Sequence, residues 1–175
     1  KDAPPAEAGT QEEHHEKCCP PLPFHSIEGY SGGSITPMGY ICNASCSKPC
    51  CGKAVVSYTF VNIGSKELNV FAVTQPLFNR LEFGYAYNNL DLSSLYQDVR
   101  RAGLDPGRHN VQLHHFNLRG MLIKENEFGL PLPAVTAGVH FKYNNGIKQI
   151  DRSLGGAFKS IGFDRNSGVD FTLTA

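Results

Sequence analysis

The chain has 175 residues, enough for one domain with a real core. Lys plus Arg and Asp plus Glu both number 16, so no net charge draws it to nucleic acid and no acidic tail is present. Charged residues are 18%, below the roughly 25% usual in soluble domains, and no apolar run has the length of a membrane helix or signal peptide.

Residues 1–23 open on Lys1, not Met, and hold little to bury. Stretches such as Gln11-Glu12-Glu13-His14-His15-Glu16-Lys17 predict a disordered N-terminal segment. Residues 24–53 read as a Gly- and Cys-rich lead-in. All six cysteines (Cys18, Cys19, Cys42, Cys46, Cys50 and Cys51) fall within the first 51 residues. Their even number and clustering favour disulfides formed in an oxidising compartment, with the connectivity open. The spacing Cys42-x-x-x-Cys46-x-x-x-Cys50-Cys51, with His14 and His15 upstream, also fits a metal site loosely.

From residue 54 onward the texture changes to strict alternation, the mark of strands with two unlike faces. Val56, Tyr58 and Phe60 share one face of the first run, opposite Ser57 and Thr59. After a turn at Gly64-Ser65, the second run, 67–75, carries Phe71 and Val73, and residues 76–80 turn the chain again. The third run sets Leu81, Phe83, Tyr85 and Tyr87 against Glu82, Gly84, Ala86 and Asn88. Loops this short suit consecutive antiparallel hairpins, because a parallel crossover needs a dozen or more residues. Ser94-Leu95-Tyr96-Gln97 predicts a capped helix that Gly103 and Pro106 stop. Residues 111–124 form a fourth strand in which Met121 and Ile123 interrupt the polar side, as a bulge would. The fifth, 134–144, sets Val135, Ala137, Val139, Phe141 and Tyr143 against Thr136, Gly138, His140, Lys142 and Asn144. A helical piece over 147–161 is broken at Gly155-Gly156. A sixth strand starts near Gly168 and reads as stopping in mid-run, so the chain is expected to be part of a longer one.

The expected fold is therefore all-β: an antiparallel meander forming part of an outer-membrane-type barrel, with one or two short helices in its connections and residues 54–175 as the barrel portion. The alternation alone also fits a soluble barrel with its apolar face inward. Two features favour apolar-outward. The opposite face is rich in Gly, Ala, Thr and charge, as a wet interior would be, and Tyr85, Tyr87 and Tyr143 lie towards strand ends, where interface girdles sit.

The sequence resembles a bacterial family of uncharacterised proteins, catalogued as domain of unknown function 3034. The resemblance is carried by residues 27–37 with their paired glycines, 77–88, the run His114-His115-Phe116-Asn117-Leu118-Arg119-Gly120, residues 131–144 and 168–175. It implies an outer-membrane barrel and a chain that continues past residue 175. It brings no activity and no catalytic residues, and it does not account for the Cys-rich loop 42–51.

Gly29-Tyr30-Ser31-Gly32-Gly33 matches the G-x-S-x-G pattern of a nucleophile elbow, which needs a strand before it and a helix after it. Pro37 opposes that helix, and a Gly-rich bend is the plainer reading. His114 and His115 are adjacent on a strand, so they face opposite ways and form no joint site. No P-loop, dinucleotide fingerprint or fixed-spacing carboxylate pair is present, and no cofactor or metal ligand set is assigned.

The leading expectation is a non-enzymatic outer-membrane barrel, exported to the cell outer membrane, with a channel, transport or envelope-structure role. Its candidate lumen-lining residues are Glu82, Asn88, His115, Asn117, Arg119, His140, Lys142 and Asp170, placed to line a pore or to pair across a plugged interior. The expected partners are outer-membrane lipid and a small solute; no nucleic acid and no protein partner is identifiable. The rivals are a soluble exported barrel binding a small apolar ligand, and a membrane-embedded lipid hydrolase or acyltransferase using Ser31 or a lumenal histidine.

Overall fold

The computed structural model describes residues 25–42 and 52–175. The second stretch forms one antiparallel sheet of six strands in simple chain order. These are β1 (Val55–Ile63), β2 (Lys66–Leu77), β3 (Leu81–Asp91), β4 (Asn110–Ile123), β5 (Val135–Asn145) and β6 (Ser167–Thr174). The expected antiparallel meander is thus what the chain forms. Among the described residues no pairing joins β6 to β1, so the sheet is open, as a portion of a barrel would be.

Local chemistry accounts for most of the turns. Gly64, at φ +66°, supplies the left-handed residue of the tight β1–β2 hairpin. The β2–β3 turn places Phe78 and Asn79 at φ 53° and 52°. Asn tolerates that region, whereas Phe78 is held there by the short connection. Pro76 lies inside β2, paired with Glu82, and not in the turn where the sequence reading put it. The β1 ladder ends at Val55 opposite Thr74, so β2 has only one neighbour at that level, where a residue lacking N–H is tolerated. The bulge expected in the fourth strand is present, as a register shift between Met121 and Ile123.

Helix α1 (Ser93–Arg101) fills the β3–β4 connection; α2 (Ile147–Ser153) and α3 (Ala157–Ser160) fill β5–β6, broken at Gly155 and Gly156 as expected. The capping box anticipated at Ser94 does not form. The helix already includes Ser93, its N-cap is Leu92, and no N-cap side chain bonds the first turn. Asp91 takes over that role: its Oδ1 accepts hydrogen bonds from Ser93 N at 2.7 Å and Ser93 Oγ at 2.5 Å.

The two faces of the sheet are buried in the reverse of the usual order. Val56, Tyr58, Phe60, Phe71, Phe83, Phe116, Leu118, Val139, Phe141, Val169, Phe171 and Leu173 are all exposed, Tyr58 at 67% and Phe171 at 77%. On the other face Thr74, Glu82, Asn88, His115, Asn117, Arg119, Thr136 and His140 are buried. The apolar core is correspondingly slight: small wall residues such as Val70, Ala72 and Ala86, with Tyr30 and Ile41 from the lead-in.

Candidate functional site

Segment 25–42 covers the polar face. It is not a helix or a strand but a chain of turns tied by two isolated bridges, His25 with Ser31 and Gly32 with Pro37. Such a segment has few ladder bonds of its own, so its backbone polar groups need partners elsewhere. The strands supply them.

The centre is a buried ion pair. Arg119 Nη1 donates to Glu82 Oε1 at 3.1 Å, with both side chains 1% exposed. Each partner also grips the segment. Glu82 Oε1 accepts from Ser31 N at 2.9 Å, and Oε2 accepts from Cys42 N at 2.7 Å. Arg119 Nη1 donates to Ser31 O at 2.9 Å, Nη2 donates to Met38 O, and the guanidinium lies 5.5 Å from the centroid of the Tyr30 ring. Burying two ions costs several kcal/mol each unless their remaining valences are filled, and here backbone atoms of the segment fill most of them.

The remaining strands repeat the theme. From β2, Thr74 Oγ1 donates to Gly29 O at 2.9 Å, while His25 bridges Thr74 and Ser57 with ring nitrogens 2.6 Å from each hydroxyl. From β4, Asn117 donates its amide to Glu28 O and Gly29 O, and its Oδ1 lies 2.7 Å from His140 Nδ1. From β5, Thr136 donates to Gly39 O, and the His140 ring packs against Tyr30 at a tilt of 56° with ring centroids 4.9 Å apart. From β6, Thr174 Oγ1 donates to Met38 O at 3.1 Å, while Thr172 Oγ1 lies 2.9 Å from His140 Nε2. A second ionic cluster joins Lys142 Nζ to Glu28 at 2.7 Å and to Asp170 at 2.9 Å. Burial pushes the Glu28 carboxyl up, but the hydrogen bond and charge of Lys142, the His115 charge and the Tyr30 hydroxyl outweigh it and hold the group below its ordinary value. Burial, with Glu28 beside it, raises the Tyr30 phenol.

Close approach of the segment depends on glycine. A Cβ on Gly84 would stand 1.8 Å from Gly29 O, and Gly29 itself sits at φ +80° with Tyr85 backbone 2.8 Å from where its own Cβ would be. No side chain fits at either position.

All eight residues expected to line an interior lie on this one face, and most are in direct contact with segment 25–42 or with each other. They line a filled face, not an empty one. His115 is buried with Nε2 3.3 Å from Asn88 Nδ2, while Asp170 is mostly exposed. His114 points the other way, as its parity requires: its ring sits 5.2 Å from Tyr87 and 6.2 Å from Tyr85, with Nδ1 2.9 Å from the Tyr85 hydroxyl. Ser31 is buried, but Gly33 N closes a turn onto Thr36 O at 2.8 Å, so the helix required by a nucleophile elbow does not follow it. Cys18, Cys19, Cys46, Cys50 and Cys51 lie outside the described residues, as does the disordered segment expected over 1–23; Cys42 is buried beside Glu82. Among the described residues no His, Cys, Asp and Glu cluster could hold a metal ion.

Sequence reasoning missed His25, Glu28 and Tyr30, whose side chains face the sheet, Thr74 and Thr174, which receive the segment, and Thr172, which holds the His140 ring. The available signal was the coincidence of small residues, Gly84 and Gly138, on a face otherwise rich in hydrogen-bonding groups.

The outer face is layered by register. Tyr58, Phe71, Tyr87, His114 and Tyr143 stand side by side across five strands. Towards the helical loops the next row is Phe60, Asn69, Asn89, Gln112 and Asn145. Away from them follow rows of Val73, Tyr85, Phe116, Phe141 and Val169, then Gln75, Phe83, Leu118, Val139 and Phe171. No helix among the described residues is long and apolar enough to cross a membrane, which leaves strands unaddressed.

Fold and site define an antiparallel β-sheet protein with a covered polar face and a bare apolar one. The family model described as "Protein of unknown function (DUF3034)" matches residues 23–175, and the chain belongs to that family. The resemblance drawn from the sequence therefore holds at the level of family. No curated protein and no solved structure matches the chain.

Proposed function

We propose that this chain forms the wall of an outer-membrane-type β-barrel whose interior is occupied by its own segment 25–42, making it an envelope component with a closed lumen. One observation carries the reading: β2 to β5 bury charged, imidazole, amide and hydroxyl side chains, and all six strands expose large apolar ones. In water that order forfeits the hydrophobic contribution that folds soluble sheets. In a bilayer it is the favourable order, because lipid receives the apolar face and the polar groups satisfy one another inside. Strands β2 to β5, of 12, 11, 14 and 11 residues, reach the ~9–11 residues a tilted crossing takes. The aromatic row ending on Tyr143 has the character of an interface girdle. A soluble barrel binding an apolar ligand would need the opposite face inward.

Planar-bilayer conductance of the reconstituted protein tests the closed interior. The expected result is little conductance from wild type and clear openings when Glu82 and Arg119 are both replaced by Ala, which releases the central grip on the segment. A wide, steady pore in the wild type would contradict the reading, as would failure of the protein to enter bilayers.

A further inference from the structure

We propose that the two helical loops at one end of the sheet form a binding site for the phosphate groups of anionic membrane lipid. The proposal rests on the membrane reading above and adds a ligand to it.

The loops 92–109 and 146–166 leave the sheet at the same end, after β3 and β5 respectively. They touch: Arg108 Nη1 packs 3.2 Å from where a Cβ on Gly146 would stand, and Ser153 Oγ lies 2.9 Å from the same point on Gly107. Together they concentrate charge that the whole chain lacks. The first loop carries Arg100, Arg101 and Arg108 against Asp98 and Asp105; the second carries Lys148, Arg152, Lys159 and Arg165 against Asp151 and Asp164. The formal net charge of the complete chain is zero, so this excess is regional.

The carboxylates within the loops are largely committed elsewhere. Asp151 Oδ1 accepts from Phe158 N at 2.6 Å and Lys159 N at 3.3 Å, closing the break between α2 and α3. Asp105 Oδ1 accepts from Gly107 N at 3.0 Å. Among the described residues Arg101 with Asp98, at 3.0 Å, is the only ion pair in either loop. Arg100 has no carboxylate; its guanidinium lies 5.7 Å from the Tyr96 ring centroid. An open cleft of about 470 Å³ between α1 and the returning chain is lined by Ser93, Tyr96, Gln97, Arg100, Arg101 and His109. Every one of these side chains can donate a hydrogen bond. Three of the six already meet a carboxylate: Arg101 pairs with Asp98, Ser93 Oγ donates to Asp91, and the Tyr96 hydroxyl lies 3.4 Å from Asp105. The Arg100 guanidinium, with Gln97 and His109 beside it, supplies the donors that a phosphate would take.

Depth selects the source of that phosphate. Tyr87, in the aromatic row, precedes the end of β3 at Asp91 by four residues, and Tyr143 precedes the end of β5 by two. At ~3.3 Å per residue the loops begin about 7–13 Å beyond the girdle. A girdle at the edge of the hydrocarbon puts that level among the lipid headgroups.

The test uses the whole protein reconstituted into phosphatidylcholine vesicles with and without phosphatidylglycerol. Insertion is read by protease protection, and retained lipid by native mass spectrometry after gentle detergent extraction. The expected result is several-fold enrichment of phosphatidylglycerol over phosphatidylcholine on the wild-type protein. Arg100→Gln combined with Lys148→Gln and Arg152→Gln, all exposed and outside the sheet, should abolish the enrichment while insertion into phosphatidylcholine stays unchanged. Equal retention of the two lipids by an inserted wild-type protein, or enrichment unaltered in the triple variant, overturns the lipid site alone. A protein that inserts into neither vesicle overturns the membrane reading and the lipid site with it.

Discussion

The two faces of β3 differ more than any two separate parts of the molecule. Glu82, Gly84, Ala86 and Asn88 point under segment 25–42, where Gly84 leaves room for the Gly29 carbonyl and Glu82 holds two backbone amides. Leu81, Phe83, Tyr85 and Tyr87, interleaved with them, face outward and touch mainly one another and their counterparts on neighbouring strands. One face is specified by directional polar bonds to a single segment of the same chain. The other is specified only by being apolar and layered. A contact surface built of hydrogen bonds tolerates few substitutions, whereas one built for a fluid solvent tolerates any apolar side chain and rejects charge.

Breaking the polar face at its centre should cost most. Arg119→Ala leaves the Glu82 carboxylate buried without its cation, an expected loss of about 3–5 kcal/mol. Chemical denaturation should register it, and replacing both partners by apolar residues should not recover it, because Ser31 N, Cys42 N, Ser31 O and Met38 O then lose their partners as well. Recovery of wild-type stability in the double replacement would show that the pair is not what anchors the segment. On the apolar face, Phe83→Arg or Val139→Arg should block assembly into bilayers, because a lipid-facing cation costs ~2–4 kcal/mol at mid-depth. Thr59→Arg, on the polar side of β1, should assemble. Equal yields from the two faces would remove the distinction between them.

Gly84→Ala gives a sharper local comparison. The added Cβ meets the Gly29 carbonyl, so the segment must lift, at an expected cost of about 1–3 kcal/mol. Hydrogen exchange should rise over 25–42 and stay low along β3 and β4. The mildest perturbation is acid. Glu28, facing Lys142, Tyr30 and His115, has its carboxyl held below the ordinary value. A lowered carboxyl contributes stability that is fully present above its unfolded pKa and is lost as pH falls through the folded one. Exchange in segment 25–42 should therefore begin to rise only below the ordinary glutamate value of about 4.3, and Glu28→Gln should flatten that rise.

Strand identity was legible because period two is a local signal. The third and fifth runs announced both faces, and Met121 with Ile123 announced the bulge. Family membership was legible from the order of several weak motifs. Pro76 was misplaced because its tolerance in β2 depends on where β1 ends, which no local pattern reveals. The helix cap went to Asp91, and not to Ser94, because the end of β3 fixes where the chain enters α1. The covering of the polar face was hidden for a similar reason. Asn117 and the Glu28 carbonyl it bonds are 89 residues apart, and Lys142 and Glu28 are 114 apart. Alternation marks a face as polar without saying what satisfies it.

The apolar face facing lipid is the central claim, and the absence of Trp from the chain makes it directly measurable. A single tryptophan introduced as Phe83→Trp, Phe116→Trp or Thr59→Trp is its own probe in reconstituted vesicles. The account predicts strong quenching by brominated acyl chains at positions 83 and 116 with little effect of aqueous iodide, and weak bromolipid quenching at position 59. Iodide quenching at 83 and 116 without any response to bromolipid would show those side chains in water and contradict it.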